Sequence, residues 1–109
     1  MNIQHKELAS GRWFRFSLLE QMANIGTEIG RAINWHAKNV NDSKMALERG
    51  LELLDLTIDD PKNKKRLKEL LRVREMLADY FYFDNVYNSN DEIWKKYFLA
   101  FNYAANNKN

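Results

Sequence analysis

A chain of 109 residues, 45% hydrophobic and 29% charged, suits one domain around one core. It has no cysteine, one proline and four glycines, which excludes a disulfide framework, a thiolate zinc site and a many-turned β fold. The net charge of +2 selects no partner by its sum, so the placement of charge carries the information.

No apolar run stands behind basic residues at the start, so no signal peptide is expected. No stretch approaches the roughly 20 apolar residues of a membrane span. The expected location is the cytoplasm, and the expected unit is a single domain over 1–109, with an N-terminal arm over 1–16 and a tail over 106–109.

Met1 to Ser10 is polar, and His5 within it reads as a solvated side chain. Gly11-Arg12-Trp13-Phe14-Arg15-Phe16 then packs three aromatics and two arginines into six residues. Two readings stand. The aromatics cover one end of the core, or the segment stacks on bases while Arg12 and Arg15 meet phosphates.

The first helix is expected over 17–38. Leu18, Met22, Ile25, Ile29, Ala32 and His36 fall on one stripe at helical spacing. Ser17 and Glu20 stand at capping-box spacing. Gly26 and Gly30, one turn apart, imply close approach of another helix or a ligand, because glycine costs a helix about 1 kcal/mol against alanine.

A second helix is expected over 43–58, capped by Asp42 or Ser43. Leu47, Leu51, Leu54 and Ile58 form its stripe, and Gly50 beside it permits close packing. Glu48, Glu52 and Asp55 form an acidic row. Without a Glu-x-x-His pair this row reads as a solvated face and not as a metal site. Asp59-Asp60-Pro61 marks the clearest boundary, with Asp60 suited to the N-cap and Pro61 to the first helical position.

The third helix is expected over 61–83, with an apolar side from Leu67, Leu70, Leu71, Met76, Leu77 and Phe81. Lys62, Lys64, Lys65, Arg66, Lys68, Arg72 and Arg74 oppose a single Glu69 over residues 62–74. That segment carries +6 and leaves −4 for the rest of the chain. Such crowding opposes both the helix dipole and neighbouring charges. Either a phosphate backbone or acidic partner surface accounts for it, or the lysines pair with Glu48, Glu52 or Asp55 on the neighbouring helix.

Ser89 and Glu92 repeat the capping-box spacing, so a fourth helix is expected over 90–105. Its stripe is Trp94, Tyr97, Phe98, Phe101 and Ala105. The fold class is therefore all-α, an antiparallel four-helix bundle with an aromatic N-terminal arm. The expected core includes Leu18, Ile25, Ile29, Leu47, Leu51, Leu54, Leu70, Leu77, Trp94 and Phe98. Trp13, Phe14, Phe16, Trp35, Tyr80, Tyr82, Phe83, Tyr87 and Tyr103 exceed what four short helices easily bury, which points to a homo-oligomer.

The expected function is a non-catalytic binding module. Lys62, Lys64, Lys65, Lys68, Arg72, Arg12 and Arg15 would contact nucleic acid or an acidic protein, with no cofactor and no metal. A purely structural scaffold is the alternative. A third reading rests on Arg31-Ala-Ile-Asn-Trp-His36, the Arg-x4-His spacing of HEPN ribonucleases. Arg31 lies off the apolar stripe and His36 on it, so the two are not expected to share a cleft.

Leu51-Glu-Leu-Leu-Asp-Leu-Thr-Ile-Asp-Asp-Pro61 and Trp94-Lys-Lys-Tyr-Phe-Leu-Ala-Phe-Asn-Tyr-Ala104, with four capped helices, resemble two groups of small bacterial four-helix-bundle proteins. These are the ribosomal-RNA intervening-sequence proteins and the accessory variability proteins of diversity-generating retroelements. The resemblance implies a non-enzymatic, ring-forming protein. In the retroelement case it also implies binding to nucleic acid and a reverse transcriptase.

Overall fold

The computed structural model describes residues 11–106. Within them lie α1 (Leu18–Trp35), α2 (Val40–Asp59), a 3-10 helix (Pro61–Arg66), α3 (Leu67–Tyr82) and α4 (Asp91–Asn106). Residues 11–13 are also helical, and no strand occurs among the described residues. None of these helices is long and apolar enough to cross a membrane. His5, the rest of 1–10 and most of the expected tail lie outside the described residues.

The ends of the helices follow from hydrogen bonds that the local sequence only partly announces. The capping box at α1 forms in full: Ser17 Oγ accepts from the Glu20 N–H at 3.2 Å, and Glu20 Oε1 accepts from the Ser17 N–H at 3.0 Å. α2 starts at Val40 instead of 43, because Asn39 Oδ1 accepts from the Asp42 N–H at 3.1 Å. Ser43 has another task. Its hydroxyl is buried and donates to the Ala32 carbonyl at 2.6 Å, tying α2 to α1.

Residues 61–66, expected as the start of an α-helix, wind as a 3-10 helix, and α3 begins at Leu67. Asp60 and Pro61 keep their expected places as cap and first residue. α4 is capped by Asn90, whose Oδ1 accepts from the Ile93 N–H at 2.8 Å, and not by Ser89. The Ser89 N–H instead donates to Asn85 Oδ1, and its hydroxyl is buried without a partner among the described residues.

α1 packs against both α2 and α4, while α3 packs on α2. The buried core joins all four helices and Trp13. Nine of the ten expected core residues are buried; Leu18 is half-buried at the edge of the cluster, in the first turn of α1. His36 lies past the last turn of α1 and is exposed, so the stripe ends at Ile33. Leu71 also faces outward, and Val73 fills the core in its place.

Two glycines set the helix spacing. A Cβ on Gly26 would stand 2.6 Å from Phe98 Cβ on α4, and one on Gly50 would stand 2.9 Å from Ile29 Cδ1 on α1. Gly30 differs from the expectation: among the described residues, and apart from its own helix backbone, nothing lies within 4 Å of its Cβ position. It borders a groove of about 290 Å³ between α1 and α4, walled by Ala23, Thr27, Lys95 and Leu99.

Candidate functional site

The fold divides the seven cations of residues 62–74 into two groups. Lys62 Nζ reaches the Asp60 carboxylate and also donates to the Phe14 carbonyl at 3.1 Å. Arg66 bonds Glu69 at 2.7 Å, and Arg74 bonds Asp55 on α2 at 2.9 Å. Lys64, Lys65, Lys68 and Arg72 are exposed and form no ion pair among the described residues. Arg12 and Arg15 are exposed and likewise unpaired. The Lys62–Phe14 bond puts the segment that carries these arginines beside the 3-10 helix that carries Lys64 and Lys65.

The 3-10 winding changes their alignment. Lys68 and Arg72, both on α3, remain one turn apart on one line. Lys64 and Lys65 sit on a helix of three residues per turn, so they do not continue that line at the α-helical phase.

Beneath these cations lies a buried polar cluster. The Trp13 indole N–H donates to Thr57 Oγ1 at 2.9 Å, and Gln21 Nε2 donates to the Trp13 carbonyl and to Asp60 Oδ2 at 3.1 and 2.8 Å. Asn63 Nδ2 donates to Gln21 Oε1 at 2.8 Å and to the Thr57 carbonyl at 3.0 Å. Gln21, Thr57, Asp60 and Asn63 are each at most 4% exposed. Burial raises the Asp60 carboxyl, but hydrogen bonds from Lys62 and Gln21 outweigh it and hold the group below its ordinary value. Each member has a partner, which is the condition for a buried polar cluster to hold a fold together.

This cluster removes the base-stacking reading of the arm. Trp13 is 7% exposed, and Phe14 and Phe16 are half-buried against the core. Trp13 and Phe16 meet edge to face at 5.6 Å. What the arm presents to solvent is Arg12 and Arg15.

The opposite end has a different character. The buried Asp79 carboxylate accepts from the N–H groups of Val86 and Tyr87 at 3.0 and 3.1 Å. Asn85 and Ser89 exchange two further bonds, and Asn85 and Asn88 take φ of 55°. Tyr80 donates to Asp91, and burial together with that carboxylate pushes its phenol up to about 12. The loop so held leaves Phe83 and Val86 more than 70% exposed.

Arg31 bonds Glu28 at 2.7 Å, and Arg49 on α2 bonds the same carboxylate at 2.8 Å. His36 borders a separate hollow with Ile33, Tyr80, Phe81 and Asp91. Among the described residues no three His, Asp or Glu side chains are placed to hold a metal ion. The chain matches no family model, no curated protein and no solved structure.

Proposed function

We propose that the chain is an antiparallel four-helix bundle serving as a non-catalytic binding module, whose basic end contacts the phosphate backbone of nucleic acid. The short connections and the opposed order of contacts support the bundle: Ser43 meets Ala32, Gly50 meets Ile29 and Asn63 meets Gln21. One observation carries the binding reading. Folding uses Lys62, Arg66 and Arg74, yet among the described residues it leaves Lys64, Lys65, Lys68 and Arg72, and likewise Arg12 and Arg15, exposed and unpaired.

With Trp13 withdrawn into the core, the site offers charge without a stacking platform. Such contacts position a duplex without reading its bases. The scaffold reading is favoured by the Arg74–Asp55 pair alone. The ribonuclease reading lacks comparable support, since Arg31 is turned to Glu28 and does not border the hollow at His36.

Gel shifts with duplex DNA, single-stranded DNA and structured RNA across a salt series test the proposal. Affinity for duplex DNA should fall with salt by a slope of roughly 0.9 per phosphate contact. Replacing Lys68 and Arg72 with alanine should lower that slope by about 1.8 and weaken all sequences alike. Absence of any shift at micromolar protein and low salt would overturn it and turn attention to an acidic protein surface.

A further inference from the structure

A glycine inside a helix needs a reason, because it weakens the helix against alanine. Gly26 has its reason in Phe98, whereas beyond Gly30 the space is open among the described residues. That space belongs to the groove of about 290 Å³ between α1 and α4. Ile29, Ile33, Phe98 and Leu99 give the groove an apolar wall. Trp94 lines it as well. This side chain is 3% exposed, and its indole N–H is buried with no acceptor among the described residues. A buried donor without an acceptor carries a desolvation penalty that an incoming oxygen relieves. Lys95, the next residue of α4, also lines the groove, exposed and without an ion pair among the described residues. No carboxylate stands among the lining residues.

We propose that the groove between α1 and α4 binds a small monocarboxylate with an elongated apolar body. The carboxylate meets Lys95 at the rim, and one of its oxygens accepts from the Trp94 N–H. That N–H is closed to solvent, so the indole turns toward the groove as the ligand seats. The body lies over Gly30, where a larger side chain would otherwise stand. Charge chooses this occupant. A cationic amphiphile would be repelled by Lys95 and find no carboxylate in the groove. A phosphate backbone would find a single cation beside an apolar wall. Shape agrees. The α1 wall from Ala23 to Asn34 spans about 16 Å of helix, which suits a chain better than a compact ring. An apolar cleft with a few placed polar groups is the usual form of a small-molecule site. Lys95 is not among the cations assigned to nucleic acid, so this site stands or falls without that reading.

Titration of the full chain with octanoate, octan-1-ol and octylammonium at neutral pH tests this. The readout is the indole N–H resonances of the three tryptophans, with that of Trp94 identified by its loss in Trp94→Phe. Octanoate should bind at sub-millimolar concentration and move the Trp94 resonance downfield. Octan-1-ol should bind about tenfold more weakly, and octylammonium more weakly again. Lys95→Gln should bring octanoate down to the level of the alcohol. Gly30→Leu should fill the groove and abolish binding without lowering the urea midpoint. Lys95 is exposed, so its variant remains decisive if Gly30→Leu fails to fold. Phe83→Ser, in the exposed loop, should leave binding unchanged. Equal affinity for the three probes, an unmoved Trp94 resonance, or binding that survives in folded Gly30→Leu would overturn the proposal.

Discussion

The two ends of the molecule are secured by different kinds of bond. At the basic end, side chains bond side chains across 39 to 44 residues of sequence: Gln21 to Asp60, Asn63 to Gln21, Trp13 to Thr57. At the apolar end, side chains bond nearby backbone, from Asp79 to Val86 and Tyr87 and between Asn85 and Ser89. A long-range clasp can break only when elements separate. A local knot can loosen while the rest stays folded. The basic end should therefore report global unfolding, and the apolar loop should report local opening.

The largest effect should come from Asp60→Ala. It leaves Lys62 and Gln21 without their shared acceptor and removes the cap of the 3-10 helix. Leaving the buried Gln21 amide without this acceptor costs about 1–3 kcal/mol and losing the cap about 1 kcal/mol more, read as a fall in urea stability. A loss below about 1 kcal/mol would break the comparison, because the clasp would then be ornament to the core. Asp60 also gives the sign of a pH effect. Its folded pKa lies below the ordinary value of about 3.9. Its contribution is present above that value and is lost as pH falls through the lower folded value. Asp60→Asn should flatten the acid limb of stability against pH.

Asp79→Ala comes next and should act locally. Two hydrogen bonds to a carboxylate are lost, worth about 2 kcal/mol in loop opening. Amide exchange at Val86 and Tyr87 should quicken roughly thirtyfold, with a smaller change in the global midpoint. Equal changes in both would merge the two ends into one cooperative unit.

Midway between the ends, Gly26→Ala and Gly30→Ala should differ in sign. The first drives a methyl into Phe98 and should cost about 1–3 kcal/mol. The second meets open space and should gain up to about 1 kcal/mol from helix propensity. The smallest stability effect belongs to Lys68→Ala with Arg72→Ala, which should leave the urea midpoint unchanged. A shifted midpoint would mean that folding uses these cations after all.

The legible part of the fold was whatever the chain settles within a few residues. The stripes on α1, α2 and α4 and the Ser17–Glu20 box are of this kind. Ser43 and Ser89 misled as caps because tertiary partners decide their roles: one hydroxyl goes to Ala32 on another helix, and the other is buried. Gln21, Asn63 and Thr57 looked like ordinary polar positions, since nothing nearby reveals partners some forty residues away. Asp79 was missed for a related reason, although an Asp four residues before a loop rich in asparagine is a signal worth weighing. Lys62, Arg66 and Arg74 cannot be told from Lys64, Lys65, Lys68 and Arg72 by composition. Gly26 and Gly30 read alike until α4 lies across one of them.

The clasp at the basic end also bears on how the chain is made. Gln21 is fully buried, and the partner of its carbonyl, Asn63, lies 42 residues further on. At about 5–20 residues per second, a ribosome needs roughly 2–8 s to supply that partner. During this interval the Gln21 amide can meet the Trp13 carbonyl but neither Asp60 nor Asn63. The N-terminal half cannot reach its final packing as it emerges. A nascent chain halted at Asp59 would hold Trp13 and Thr57 but lack both Asp60 and Asn63. The boundary at Asp60 is thus also the point in translation at which the first helix can begin to be secured, and chains released short of it should be substrates for chaperones and proteases.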